Sequence, residues 1–462
     1  MVSITLDPPR GTRDFYPDDL RKEHWLFDNW RSTSKSFGFD EYDAPIMEHA
    51  SLWDKKSGSD ILNEMFTLEK EGTQYTLRPE MTPSVTRMMI NSYKTIPMPA
   101  RWFSVPQCWR YESTARGRKR EFYQWNIDIF GAVPIKSEIE IFSVIVHFLE
   151  SVRLTKNDVV IRVSDRRILE KILQNLEVPA EHFTKACNTI DKMPKLERDD
   201  IYKMFEEIGV DKKKVDTLYD VVAVKNLDDL DKYLPGEPVL EEFKKVLTIC
   251  EFIGIRDWIE VDISVVRGLA YYTGMVFEGF FKNSELKRAI LGGGRYDNLM
   301  ATYGAEPLPA IGFGMGDVII MDVLAEMKLV PECKKPLHYI IIPFNEDLAP
   351  AALLIGNDIR KNTRFIVETY INGKRLKNAL DYANKVGAQN TVILLPDEWK
   401  NKQVIVKSMA TGIQRVLELP EFYKELGFPP QKGEIPRRAC APAVSDALGL
   451  SDSDNDYYGS GR

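Results

Sequence analysis

The chain reads as an α+β protein: an antiparallel sheet flanked by helices, interrupted by a helical insertion and followed by a small C-terminal α/β domain. Three observations lead there. Short β-like runs separated by turns cluster over 64–68, 74–78, 101–110 and 122–130, a pattern of antiparallel pairing rather than regular βαβ repeats. Over 164–240 Lys, Glu and Asp are dense, Leu and Ile recur at helical spacing, and strand signals vanish. Beyond a linker holding Pro331, Lys334, Lys335 and Pro336, strand and helix patterns alternate.

Taken in order, Leu20, Trp25, Leu26 and Trp30 fall at helical spacing before Gly38, which predicts a helix over 18–37. A short strand follows over 42–48, broken by Pro45. After the insertion, strand signals return over 258–266 and 271–281, then a glycine cluster over 291–295 and an apolar helix over 316–328. The small domain reads as strand 338–343, helix 348–361, strand 365–370, helix 374–386, and strands 391–395 and 403–407. The last stretch has few large apolar groups to offset its ordering entropy. The expected division is a catalytic domain of 1–163 and 241–330, an insertion of 164–240, a domain of 337–422, and a disordered tail of 429–462.

A chain of 462 residues exceeds what one core of about 150 explains, which excludes a small isolated binding module. Its net charge of −7 argues against coating nucleic acid by overall basicity, yet the 338–420 segment alone carries +3. No run of about 18 apolar residues predicts a membrane span. Five cysteines without CxxC spacing suit a reducing compartment. The start shows neither an apolar h-region nor an acid-free amphipathic stretch, so the expected address is the cytosol.

The chemistry has few places to sit. Neither GxGxxG nor GxxxxGK[ST] occurs, nor a GxSxG elbow, and the five histidines show no zinc spacing, so no metal site is expected. What remains is positioned charge. Arg110, Arg116, Arg118, Lys119 and Arg120 surround a strand–loop–strand, with Arg110 and Glu112 on one face and Phe122, Gln124, Asn126 and Asp128 sharing a face of the returning strand. Guanidinium groups so placed suit a polyphosphate, an aromatic ring suits a base, and an amide with a carboxylate suits a cationic amine. A solvated basic hairpin tip is an equal reading of these residues alone. Likewise RGLAYYTGMVFEG can be a strand with core aromatics, and LGGGRYDNL a tight turn or a place where two backbones approach.

Six segments in one order carry more than any of them singly: PPRGTRDFYP, TLRPEMT, RYE with RGRKREFYQ, RGLAYYT, GGGRYD and AIGFGMGD. Together they resemble the histidyl-tRNA synthetases, a class II aminoacyl-tRNA synthetase family. INGKRLKNALDYANKVGAQNTVIL is similar to that family's anticodon-binding domain, so the likeness covers roughly 8–420.

The resemblance implies an ATP-dependent histidine–tRNA ligase. The histidine carboxylate attacks the α-phosphorus of ATP, supplied with Mg²⁺, pyrophosphate leaves, and the histidyl group passes to the terminal adenosine of histidine tRNA. It assigns Arg267 and Arg110 to catalysis at the α-phosphate. Glu112, Arg118 and Phe122, with Arg110, would hold ATP. Glu80, Met81, Thr82, Gln124, Asp128, Tyr271 and Tyr272, with both arginines, would hold L-histidine. Arg116 and Lys119 would meet the tRNA acceptor end. Pro45 resembles the first-motif proline at the family's dimer interface, which implies a homodimer. The family's third-motif arginine is missing, with Ile319 about where it would align; Arg295 or a backbone contact is the expected replacement. A catalytically inactive histidine- or tRNA-binding regulator on the same scaffold is the alternative.

Overall fold

The computed structural model describes residues 4–54, 59–193, 196–266, 271–283, 288–372 and 375–428. The expected tail and Arg267 lie outside the described residues. The chain forms two compact units, Met1–Glu332 and Cys333–Arg462.

In the first unit the strands are β1 Asp40–Glu41, β2 Met47–His49, β3 Phe66–Lys70, β4 Thr73–Leu77, β5 Ala100–Ser104, β6 Gln107–Trp109, β7 Glu121–Phe130, β8 Val159–Asp165, β9 Ile259–Val261, β10 Met275–Phe281, β11 Ala289–Arg295 and β12 Ala310–Gly316. Nine of them make one sheet in the order β1-β5-β7-β12-β11-β10-β8-β9, with β6 paired to β7. It is antiparallel from β5 to β8 and gains parallel edges at β1 and β9. β2, β4 and β3 form a separate antiparallel sheet.

The expected α+β class holds; several boundaries move for identifiable reasons. Of the single strand expected over 42–48 only the end beyond Pro45 forms, as β2, with β1 pairing just before it at Asp40–Glu41; that over 101–110 is split into β5 and β6 around Pro106, because proline has no N–H to give a ladder. Of the two readings of the glycine cluster, a tight turn and a close approach of backbones, the second holds: a Cβ on Gly293 would stand 2.2 Å from Gly312 O. The cluster is β11, paired on both sides by β10 and β12. β8 and β12 were not foreseen, nor were the helices Thr82–Ser92 and Lys136–Ser151. The expected insertion limits, 164 and 240, fall inside β8 and inside the Pro238–Phe252 helix. The buried side chains of helices Arg166–Asn175 through Pro238–Phe252 belong to one apolar cluster with the sheet.

Pairing register sorts the sheet into two faces. One face of β7, β12, β11 and β10 presents Trp125, Ile127, Ile129, Ile311, Phe313, Met315, Leu291, Met275 and Phe277. Helices Pro17–Ser36 and Lys136–Ser151 cover it, with Trp30 stacked on Trp125 at 6.0 Å and Phe142 edge-on to Phe277 at 5.1 Å. The other face presents Gln124, Asn126 and Asp128 on β7 beside Gly312, Gly314 and Gly316 on β12, then Gly292 and Gly294 on β11. The Thr82–Ser92 helix covers only one end of it, through Val85 and Met89 against Phe130, Val276 and Tyr296.

The second unit has a five-stranded sheet in the order β14 Val367–Thr369, β13 Tyr339–Pro343, β15 Asn390–Leu394, β16 Gln403–Ser408, β17 Gln414–Glu418. β13 runs parallel to both neighbours, and the later pairs are antiparallel. Helix Ala349–Asn362 packs with Ile341 on one side, and Leu376–Lys385 with Ile340 and Ile342 on the other, as strand alternation requires. β17 and the Leu419–Glu425 helix extend the unit beyond the expected elements.

Candidate active site

The polar face of the large sheet is made roomy by missing side chains. A Cβ on Gly312 would stand 2.4 Å from Asp128 Oδ1, one on Gly314 2.6 Å from Gln124 Nε2, and one on Gly294 2.8 Å from the Tyr272 ring. Only glycine lets those three side chains lie down on the strands. A Cβ on Gly316 would meet nothing within 4 Å, so the sheet is open there.

Asp128 lies at the closed end. It is buried, accepts the phenol proton of Tyr296, and has the Tyr42 hydroxyl beside it. Burial pushes its carboxyl up to about 7, against the pull of the two phenols toward the charged form. Tyr271 packs against Tyr272 with tilted rings 4.8 Å apart and meets Tyr296 edge-on at 6.0 Å, so an aromatic wall flanks the carboxyl. Glu80 and Met81 are buried where the chain enters the Thr82–Ser92 helix. Gln124 is half-buried on β7. A carboxyl, an amide and phenols gathered on one face of the sheet suit a small molecule carrying an imidazole or an ammonium group.

The other end is arginine-rich. The β6–β7 hairpin carries Arg110, whose Nε donates to Pro79 O at 2.9 Å and so ties the hairpin to the segment bearing Glu80. Its guanidinium lies 5.4 Å from the Phe122 ring centre and 3.8 Å from Glu112. Arg118 Nε meets Glu112 at 2.8 Å. Arg116 pairs with Glu326, and Lys119 is half-buried on the same loop. The hairpin is seated by Gly11, at φ +90°, whose carbonyl accepts from Arg120 N at 2.7 Å. A Cβ there would also strike Thr114 and Arg120.

Arg295, the expected stand-in for the missing arginine, does not reach this site. It is on the packed face, where it donates to Glu138 at 2.6 Å, Ser137 at 2.6 Å and Ala132 O at 3.2 Å. A buried guanidinium must spend its donors internally, and these partners take them. Its place in GGGRYD carries no sign of that, because an arginine beside glycines reads equally well as a ligand.

Several contributors escaped the sequence. Tyr42 and Tyr296 read as ordinary aromatics; only the fold turns their hydroxyls on Asp128. Arg78, 1% exposed, holds Asp43, Ala44 O and Gln107 O, which braces the loop before Pro45. Arg13 gathers three carboxylates behind the hairpin: Glu121 at 2.7 Å, Asp317 at 2.8 Å and Glu23 at 3.8 Å. Burial raises Glu23 to about 7 and Asp317 to about 6. The acid at the start of the Asp317–Glu326 helix was the available signal, and a partner 304 positions away was not.

Residues 11–316 match the histidyl-tRNA synthetase family. A histidine–tRNA ligase of Arabidopsis thaliana, chloroplastic/mitochondrial by its name, is 39% identical over 91% of this chain and 86% of its own. One from Pyrococcus furiosus is 31% identical over 91% of this chain and 99% of its own. The fold is shared with a histidyl-tRNA synthetase from Nostoc sp. PCC 7120, at a TM-score of 0.74 and 22% identity, over 92% of this chain and 99% of the other. Among the described residues no helix is long and apolar enough to cross a membrane. The chain belongs to the histidyl-tRNA synthetase family.

Proposed function

We infer that the chain is a histidine–tRNA ligase that makes histidyl-adenylate from L-histidine and ATP and passes the histidyl group to the 3′ end of histidine tRNA. The observation that carries this reading is one face holding two unlike ends: a carboxyl ringed by phenols and an amide, and an arginine hairpin opening on a clear glycine floor.

In this reading the imidazole of histidine lies against Asp128 and the tyrosines, and Glu80, Met81, Thr82 and Gln124 surround the ammonium end. ATP lies along the hairpin. Its base stacks on Phe122 and contacts Glu112, while Arg110 and Arg118 take its phosphates. Mg²⁺ arrives on the nucleotide as part of the substrate. A carboxylate oxygen of histidine attacks the α-phosphorus, the bond to the bridging oxygen breaks, and pyrophosphate carries the charge away. The protein holds two anions in line and neutralises the crowded phosphorus; Arg110, joined by Arg267, does this without becoming covalently involved. The adenosine hydroxyl of tRNA then displaces AMP from the carbonyl carbon.

The tRNA would be met at two places. Arg116 and Lys119 are on the hairpin loop, for acceptor phosphates. In the second unit Phe344, 50% exposed, follows β13, and Ile371, 86% exposed, follows β14, at the carboxyl ends of neighbouring parallel strands, where unstacked anticodon bases could rest on apolar surface. A homodimer is supported by exposed apolar side chains around Pro45: Ile46, Met47 and Leu68.

Pyrophosphate exchange into ATP, run with each amino acid in turn, tests the reading. Exchange dependent on histidine alone is expected. Its absence from the unmodified protein would leave the inactive regulator as the better account.

A further inference from the structure

The arginine hairpin has a neighbour that the family likeness does not point to. Arg288 stands one residue before β11. Since Leu291 pairs with Met315 and Gly316 with Gln124, Arg288 comes to the sheet at the end where Gly316 closes β12 and where β7 begins with Glu121 and Phe122. That is the end left open over Gly316. Among the described residues its Nη1 meets no hydrogen-bond partner although it is shut off from solvent.

Its charged surroundings are Arg118 and Glu112. Burial first, and then the Arg118 charge, lower its proton affinity below the ordinary guanidinium value, and Glu112 offsets part of this. Glu112 is already engaged by Arg118 at 2.8 Å and lies 3.8 Å from Arg110. One carboxylate thus serves three guanidinium groups. Two arginines crowded together with a desolvated, unsatisfied N–H are poorly arranged for an empty protein and well arranged for a polyanion between them.

We propose that Arg288 is an ATP-binding residue: from the side of β11 it grips the polyphosphate that Arg110 and Arg118 hold from the hairpin, and so supplies the positive charge missing at Ile319. The proposal rests on the ligase reading in taking ATP as the anion. Arg288 pairs with phosphate oxygens through the donor it cannot satisfy internally, and the like charge of Arg118 is relieved when the phosphates enter.

The test is the Michaelis constant for ATP in histidine-dependent exchange, measured for Arg288→Ala and Arg288→Lys. The alanine variant is expected to raise it at least tenfold, with the histidine constant and the melting temperature unchanged, and lysine to recover part of the loss. An ATP constant within twofold of the unmodified protein overturns the proposal, as does a defect confined to the tRNA constant. If alanine lowers the melting temperature, Arg288→Gln is judged by the same two thresholds. If the unmodified protein shows no exchange, the ligase reading fails separately. Calorimetric titration with MgATP then decides: a tenfold weaker Kd in the alanine variant supports Arg288 as a nucleotide contact, and an equal Kd overturns it.

Discussion

The two faces of the large sheet come from the same strands and obey opposite rules. On the packed face each position carries volume: Trp125, Phe313 and Phe277 interlock, with Phe313 edge-on to Trp125 at 5.1 Å. Even its two glycines obey this: a Cβ on Gly293 would strike Phe277 and Phe313 at 2.6 Å, and one on Gly279 would strike Leu291 at 2.8 Å. On the polar face the glycines of β11 and β12 withhold volume, and the polar residues of β7 lie into the room so made. A core gains from filled space, whereas a binding site must keep space and donors unused until its ligand arrives. Period-two alternation lets one stretch of chain serve both ends.

Substitutions can break that contrast from either side. Arg110→Ala should have the largest effect, lowering histidine-dependent exchange by about 10²–10³-fold. Urea unfolding should register only the lost tie to Pro79 O, about 1 kcal/mol. Phe313→Ala, on the packed face, should do the reverse: a loss of about 3–5 kcal/mol of stability in urea titrations, with the histidine Michaelis constant little changed in the fraction still folded. Gly312→Ala adds one carbon where Asp128 Oδ1 and Ile127 O each stand 2.4 Å away. Something must shift, and the histidine constant should rise roughly 100-fold, about 2.7 kcal/mol, with a smaller loss of stability than Phe313→Ala.

The smallest effect concerns the carboxylates behind the hairpin. The carboxyl of Glu23 is held at about 7 in the folded chain, first by burial and then by the charge of Asp317, against an ordinary 4.5. The folded state therefore keeps a proton that the unfolded state gives up. Its contribution is fully present below about pH 4.5 and is lost as pH rises through 7. Glu23→Gln should raise the melting temperature at pH 8, by on the order of 1–3 kcal/mol of stability, and change it little at pH 5. A gain equal at both pH values would show that ionisation is not the cause.

Local patterns were readable in the chain and distant partnerships were not. The Pro17–Ser36 helix, the β6–β7 hairpin and most strands of the second unit follow from spacing and turn residues. β11 and β12 were hidden because glycine depresses strand propensity, and here register and site space outweigh it. Arg295 was misread for a related reason: next to glycines, nothing distinguishes a guanidinium that waits for a ligand from one already bonded to Glu138. Tyr296 became more than a core ring only when β7 and the turn after β11 were brought together.

The glycine floor also bears on how such a pocket can change. Every replacement at Gly312 or Gly314 adds atoms and none removes them, so the floor can be raised but never dug deeper. A descendant of this chain could shrink its pocket in one step, while room for a bulkier amino acid would have to be cut from the walls, at Tyr42, Tyr271, Tyr272 or Tyr296. The selectivity of this sheet is bounded on one side by its own backbone.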